Sequence, residues 1–104
     1  MGNEEIMKFS VNFLPNILWE EIVIKGTPRV KVLQKLQNRT IVLGLLEQAV
    51  WMLLSAQYDS KVSHLVSELE KKGMSAEDVI AAVSTLLDLE LIEITDHLWE
   101  SKLR

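Results

Sequence analysis

The apolar residues change from strand to helical spacing near Leu46, and that change constrains the fold more than any other feature of the chain. Upstream, Met7, Phe9, Val11 and Phe13 alternate with Lys8, Ser10 and Asn12, the period of a half-buried strand. Downstream, Leu46, Ala49, Val50, Leu53 and Leu54 fall at helical spacing. Val62, Leu65, Val66 and Leu69 do the same, and so do Val79, Ala82, Val83, Leu86 and Leu87. The order is strands, three helices and a final strand over "LELIEI", 89–94, which makes an α+β domain.

Punctuation divides the strand half. Pro15 and Asn16 end the first strand, expected over 7–13. "LWEEIVIKG", 18–26, carries the β-branched run Ile22-Val23-Ile24 and reads as a second strand, with a helical turn over 16–21 as the alternative for its first half. Gly26 and Pro28 break the chain. "RVKVLQKL" (29–36) and "TIVLGL" (40–45) then flank Gln37-Asn38-Arg39 as a hairpin. In the helical half, Asp59 or Ser60 is placed to cap helix two, and Lys71, Lys72 and Gly73 to close it. Ser75-Ala76-Glu77-Asp78 is close to a capping box for helix three. A turn of about four residues between helices two and three is helix-turn-helix spacing, so the expected fold is winged helix-turn-helix-like. "TDHLWESKLR", 95–104, would be a wing strand or a tail.

With 104 residues, 48% of them hydrophobic, the chain suits one domain with a real core. The absence of cysteine excludes disulfides, thiol catalysis and Cys-based metal centres, and fits a cytoplasmic protein. No apolar run approaches the ~18 residues of a membrane span, and "MGNEEIMKF" lacks the basic start of a secretory signal. "NRT", 38–40, matches a glycosylation sequon, which means nothing without secretion.

Catalytic chemistry finds little footing. His64 and His97 are the only histidines and lie in separate elements. Glu68 follows His64 at helical spacing, but two ligands do not make a metal site. The four glycines are scattered, so no phosphate loop is present, and no nucleophile motif can be defended. The expectation is a non-enzyme without cofactor or metal. Trp19, Trp51 and Trp99 read as core residues or as aromatic anchors at an interface.

Charge is informative in its distribution. The net charge is −4, yet Lys25, Arg29, Lys31, Lys35 and Arg39 fall between Ile22 and Leu46 with no acid among them, leaving six of the eleven cations against all fifteen anions elsewhere. Lysines there could simply guard a sheet edge, or the hairpin meets an anionic partner. Helix three, the recognition helix of a DNA-binding winged helix, has no Lys or Arg from Met74 to Ile94, which argues against nucleic acid in the major groove.

This sequence of elements resembles the PqqD-like domains, or RiPP recognition elements, which bind the leader segment of ribosomally made precursor peptides. The resemblance rests on "RVKVLQKLQNRTIVLGL" for the hairpin, "EQAVWMLL" for a Trp-bearing helix one, "KVSHLVSELEKKG" for helix two and "SAEDVIAAVSTLLDLELIEI" for helix three and its exit. It covers 29–94, with 1–28 an N-terminal strand extension and 95–104 a wing or tail of the same single domain, 1–104. The chain departs from the family in "GLLEQ" before the Trp helix and in Glu90, which stands where an exit glycine is usual.

The resemblance implies a peptide chaperone of natural product biosynthesis that acts by protein–protein interaction. The leader would add as a strand beside Thr40, Ile41, Val42, Leu43, Gly44 and Leu45, with its side chains against Val79, Ala82, Val83 and Leu86 of helix three. These helix positions equally fit the buried stripe. Lys31, Lys35 and Arg39 would attract an acidic leader. The implied partners are the precursor peptide and a separate peptide-modifying enzyme, with no membrane; a homodimer stays open. The rival readings are a winged-helix transcription regulator, with DNA contacts from the hairpin or from Lys102 and Arg104, and a structural subunit anchored by Trp19 or Trp99.

Overall fold

A computed structural model describes residues 3–57 and 60–95. The elements run α1 (Asn3–Ile6), β1 (Ser10–Phe13), β2 (Ile17–Ile24), β3 (Thr27–Gln34), β4 (Arg39–Val42), α2 (Leu45–Ala56), β5 (Ser60–Lys61), α3 (Val62–Glu70), α4 (Ala76–Asp88) and β6 (Ile92–Ile94). The protein is thus α+β, with two small antiparallel sheets, β5-β1-β6 and β2-β3-β4. Among the described residues no helix is long and apolar enough to cross a membrane.

The first strand is shorter than its alternation suggests. Residues 7–9 fall outside it: they follow the helical turn Asn3–Ile6, which buries Ile6, and Lys8 and Phe9 donate back to the Glu5 and Ile6 carbonyls. β1 then takes the centre of its sheet, with Val11 opposite both Ser60 and Ile94. The expected break at Gly26–Pro28 is a hairpin. Lys25 (φ 51°) and Gly26 (φ 81°) form a two-residue turn with both residues left-handed, so β2 pairs with β3 along its whole length. The pairing settles 17–21 as strand.

α2 begins at Leu45, where the hairpin's second strand was expected to end. The expected cap of α3 is displaced. Ser60 lies in β5 and donates its hydroxyl to Gln57 Oε1, so Lys61 precedes the helix without a side-chain cap; Asp59 lies outside the described residues. α4 is capped as expected, Ser75 Oγ accepting from the Asp78 N–H at 3.1 Å.

α3 and α4 close in the same way. Met74 donates to the Leu69 carbonyl and Gly73 to that of Glu70; Leu91 donates to Leu86 and Glu90 to Leu87. This paired-bond turn needs one left-handed residue, which is Gly73 (φ 97°) after α3 and Glu90 (φ 59°) after α4. The final strand is consequently trimmed to Ile92–Ile94, because Leu89 ends the helix and Glu90 turns the chain. Glu90→Gly is expected to stabilise the fold by about 0.5 kcal/mol, the strain relieved exceeding the chain entropy that glycine adds. A urea midpoint that stays level or falls at constant slope would contradict this.

One core joins all layers. Val30 and Val32 of β3 point inward together with Gln34, against Val50, Trp51 and Leu54 of α2 and the buried stripe of α4. Trp51, expected slightly off the helical stripe, is fully buried. Its ring lies 4.4 Å from Phe13 and meets Trp19 edge-on at 6.2 Å, tying β1 and β2 to the helices.

Candidate functional site

β4 is an edge strand: among the described residues no strand lies beyond it. Which of its backbone groups face outward follows from register. Lys31 pairs with Val42, Val32 with Ile41, Leu33 with Thr40 and Gln34 with Arg39. Leu43 continues the ladder by donating to the Val30 carbonyl at 2.9 Å. Bonded and non-bonded pairs alternate in an antiparallel ladder, so Arg39, Ile41 and Leu43 bond inward to β3 while Thr40 and Val42 aim their N–H and C=O groups away from it. The free edge therefore presents four backbone groups, two donors and two acceptors, on Thr40 and Val42.

The end of this edge is apolar. Val42 is 41% exposed, and Leu45 and Leu46, opening α2, are 63% and 39% exposed. Gly44 precedes α2 as its N-cap in an extended conformation, φ −66° and ψ 166°, with no side-chain cap bond. Beyond the strand, Gln48 replaces it. Its side chain accepts from the Val30 N–H and donates to the Pro28 carbonyl, finishing the edge of β3 as a backbone would. Arg29 Nη2 donates to the Leu43 carbonyl, and its buried Nε has no partner among the described residues.

The expected strand site is thus shorter than 40–45. Thr40, Ile41 and Val42 lie in β4; Leu43 is a buried anchor, Gly44 caps α2 and Leu45 is its first residue. The expected helix positions Val79, Ala82, Val83 and Leu86 are at most 1% exposed, because they form the stripe by which α4 joins the core. They lie beneath the surface, not at a groove rim. The exposed acids Glu77, Asp78 and Asp88 occupy the helix's outer side.

The three cations differ. Lys31 pairs with Glu20 across β2 at 3.4 Å, and Lys35 stands exposed in the hairpin turn. Arg39 is a structural latch: its Nε donates to Gln34 Oε1 at 2.6 Å and its Nη2 to the Leu89 carbonyl at 2.9 Å. Gln34, only 4% exposed, donates to the Leu89 and Glu90 carbonyls, and Gln37 Nε2 reaches the Glu90 carboxylate. The β3–β4 hairpin is thereby fastened to the end of α4. The position of Gln34 is foreshadowed by the inward series Val30-Val32-Gln34. Nothing local foreshadows its partners. Gln34→Ala is expected to cost about 1–3 kcal/mol, since it strips a buried network of three bonds; a thermal unfolding curve superposable on wild type would refute the latch.

His64 Nε2 lies 3.8 Å from Glu68 Oε1, a carboxylate also shared with Lys71 at 3.3 Å. Among the described residues no cluster of metal-ligating side chains forms. His97, Trp99, Lys102 and Arg104 lie outside the described residues. No family model, curated protein or solved structure matches the chain.

Proposed function

We propose that this protein is a leader-peptide-binding module of the PqqD-like, winged-helix-like type, which docks the leader of a ribosomally made precursor along the outer edge of β4 and presents the rest to a separate modifying enzyme. The observation that carries the reading is the open edge at Thr40 and Val42, bordered by the exposed side chains of Val42, Leu45 and Leu46. Strand addition takes generic affinity from backbone hydrogen bonds and selectivity from side-chain contacts beside them. Lys35, exposed in the hairpin turn, and Lys31, opposite Val42, attract an acidic segment and quicken encounter. Holding the leader keeps the core peptide near the enzyme's active site at high effective concentration. Glu90, a departure from the family's exit glycine, holds the left-handed conformation that favours glycine at such a position.

In this reading α4 is a support. Its buried stripe and the Gln34–Arg39 latch hold the hairpin still, so the edge is preorganised for a strand. The absence of Lys and Arg from 74–94 then needs no nucleic-acid explanation.

Capture from the native host with nuclease treatment, followed by mass spectrometry down to small peptides, tests the proposal. Recovery of one short precursor peptide with one enzyme is expected, and the peptide should then shift backbone amides at 39–43. Capture of nuclease-sensitive DNA alone, lost steeply as salt is raised, would replace the proposal with a regulator.

A further inference from the structure

We infer that the outer edge of β2 is a second strand-docking site, one that takes an extended segment of a partner protein carrying Lys or Arg at its centre and apolar residues on either side. It lies on the opposite side of β3 from the β4 edge and does not depend on the leader-peptide reading.

This edge is the longer of the two. The two-residue turn makes Ile24 and Thr27 a bonded pair, so Ile17, Trp19, Glu21 and Val23 aim their N–H and C=O groups outward. Among the described residues no strand pairs with them. Side chains on both faces of β2 are exposed and apolar: Leu18 at 50% and Ile24 at 37% on one, Val23 at 70% and Trp19 at 36% on the other. Such a strand invites pairing with another chain.

Charge decides what it accepts. Glu20 and Glu21 interrupt the apolar run at its middle, one on each face. Glu20 already faces Lys31 at 3.4 Å, whereas Glu21 forms no ion pair among the described residues. A second copy of this strand fits poorly. The two longest antiparallel self-pairings, over 17–23 and over 18–24, set Glu20 against Glu20 or Glu21 against Glu21, an unfavourable like-charge contact. Escaping it shortens the ladder to 17–21 or 20–24. A strand with central cations meets both acids over the full length. The two edges of the sheet therefore select oppositely charged segments, and both can be occupied together.

The test uses two end-blocked ten-residue peptides of alternating valine and threonine, one with two central lysines and the other with two central glutamates, titrated into the isotope-labelled protein. The lysine peptide should shift amides at 17–23, weaken as salt rises, and bind about tenfold more tightly than the glutamate peptide. Glu20→Lys/Glu21→Lys should reverse that preference, and Val23→Pro, which removes an outward donor, should abolish binding of the lysine peptide. Equal affinity of the two peptides, shifts confined to 39–43, or no binding of either would overturn the inference. So would a wild-type dimer in sedimentation that Val23→Pro dissociates, since the edge would then belong to a second copy.

Discussion

Val42→Pro should leave the protein folded while weakening leader-peptide binding by about 10- to 100-fold. The two halves of this result come from the same bond geometry. Val42 sits opposite Lys31 in a non-bonded pair, so its N–H points away from β3 and contributes nothing to the ladder. Proline is tolerated on an edge strand when the missing N–H is the solvent-facing one, and a stability change within about 1 kcal/mol is expected. A docking strand, by contrast, loses one of the two donors that the edge offers and meets the ring of the proline in its place. Isothermal titration with the captured precursor peptide measures the loss, and circular dichroism checks the fold. Unchanged affinity in a folded variant would remove β4 as the docking strand. Ile41→Pro is the complementary control. The Ile41 N–H bonds inward to Val32, so this variant should lose stability outright.

Trp51→Ala should cost about 3–5 kcal/mol, a large fraction of the roughly 5–15 kcal/mol that keeps a domain of ordinary stability folded. Trp51 is the largest fully buried side chain, and it joins three parts of the chain that are distant in sequence: Phe13 at the end of β1, Trp19 in β2 and its own helix. Alanine leaves a cavity where all three meet. Trp51→Phe should lose far less than its volume implies. The indole N–H is buried without a hydrogen-bond partner among the described residues, and removing it removes a desolvation cost. Urea unfolding of the two variants separates the ring from the donor. A phenylalanine variant as unstable as the alanine one would show that shape at this junction outweighs everything else.

The helices were legible because their signal is local. Apolar residues three and four apart mark the buried faces of α3 and α4, and Ser75 and Gly73 mark where α4 starts and α3 stops. The same locality misled at the ends of strands. The alternation from Met7 to Phe13 looks uniform, yet Lys8 and Phe9 bond back to Glu5 and Ile6 and leave the strand, closing a turn that buries Ile6, a gain only the finished core can offer. "LELIEI" alternates as well, but its first residues close a helix through bonds from Glu90 and Leu91 back to Leu87 and Leu86.

The candidate site divides along the same line. The hairpin of 29–42, its basic character and the acidic, cation-free α4 can be read from residue order and charge alone, because a turn, a period and a charge run each occupy a few consecutive positions. Tertiary structure alone decided which edge stays open, that Thr40 and Val42 rather than Ile41 face outward, that Val79, Ala82, Val83 and Leu86 lie beneath the surface, and that Gln34 and Arg39 bind the hairpin to Leu89 and Glu90. The latch depends on groups some fifty residues apart finding one another, the outward pair on the register in which the hairpin closes, and a helical stripe reads the same whether the core or a guest strand covers it. Burial and register belong to the assembled chain, since they are set by what packs opposite.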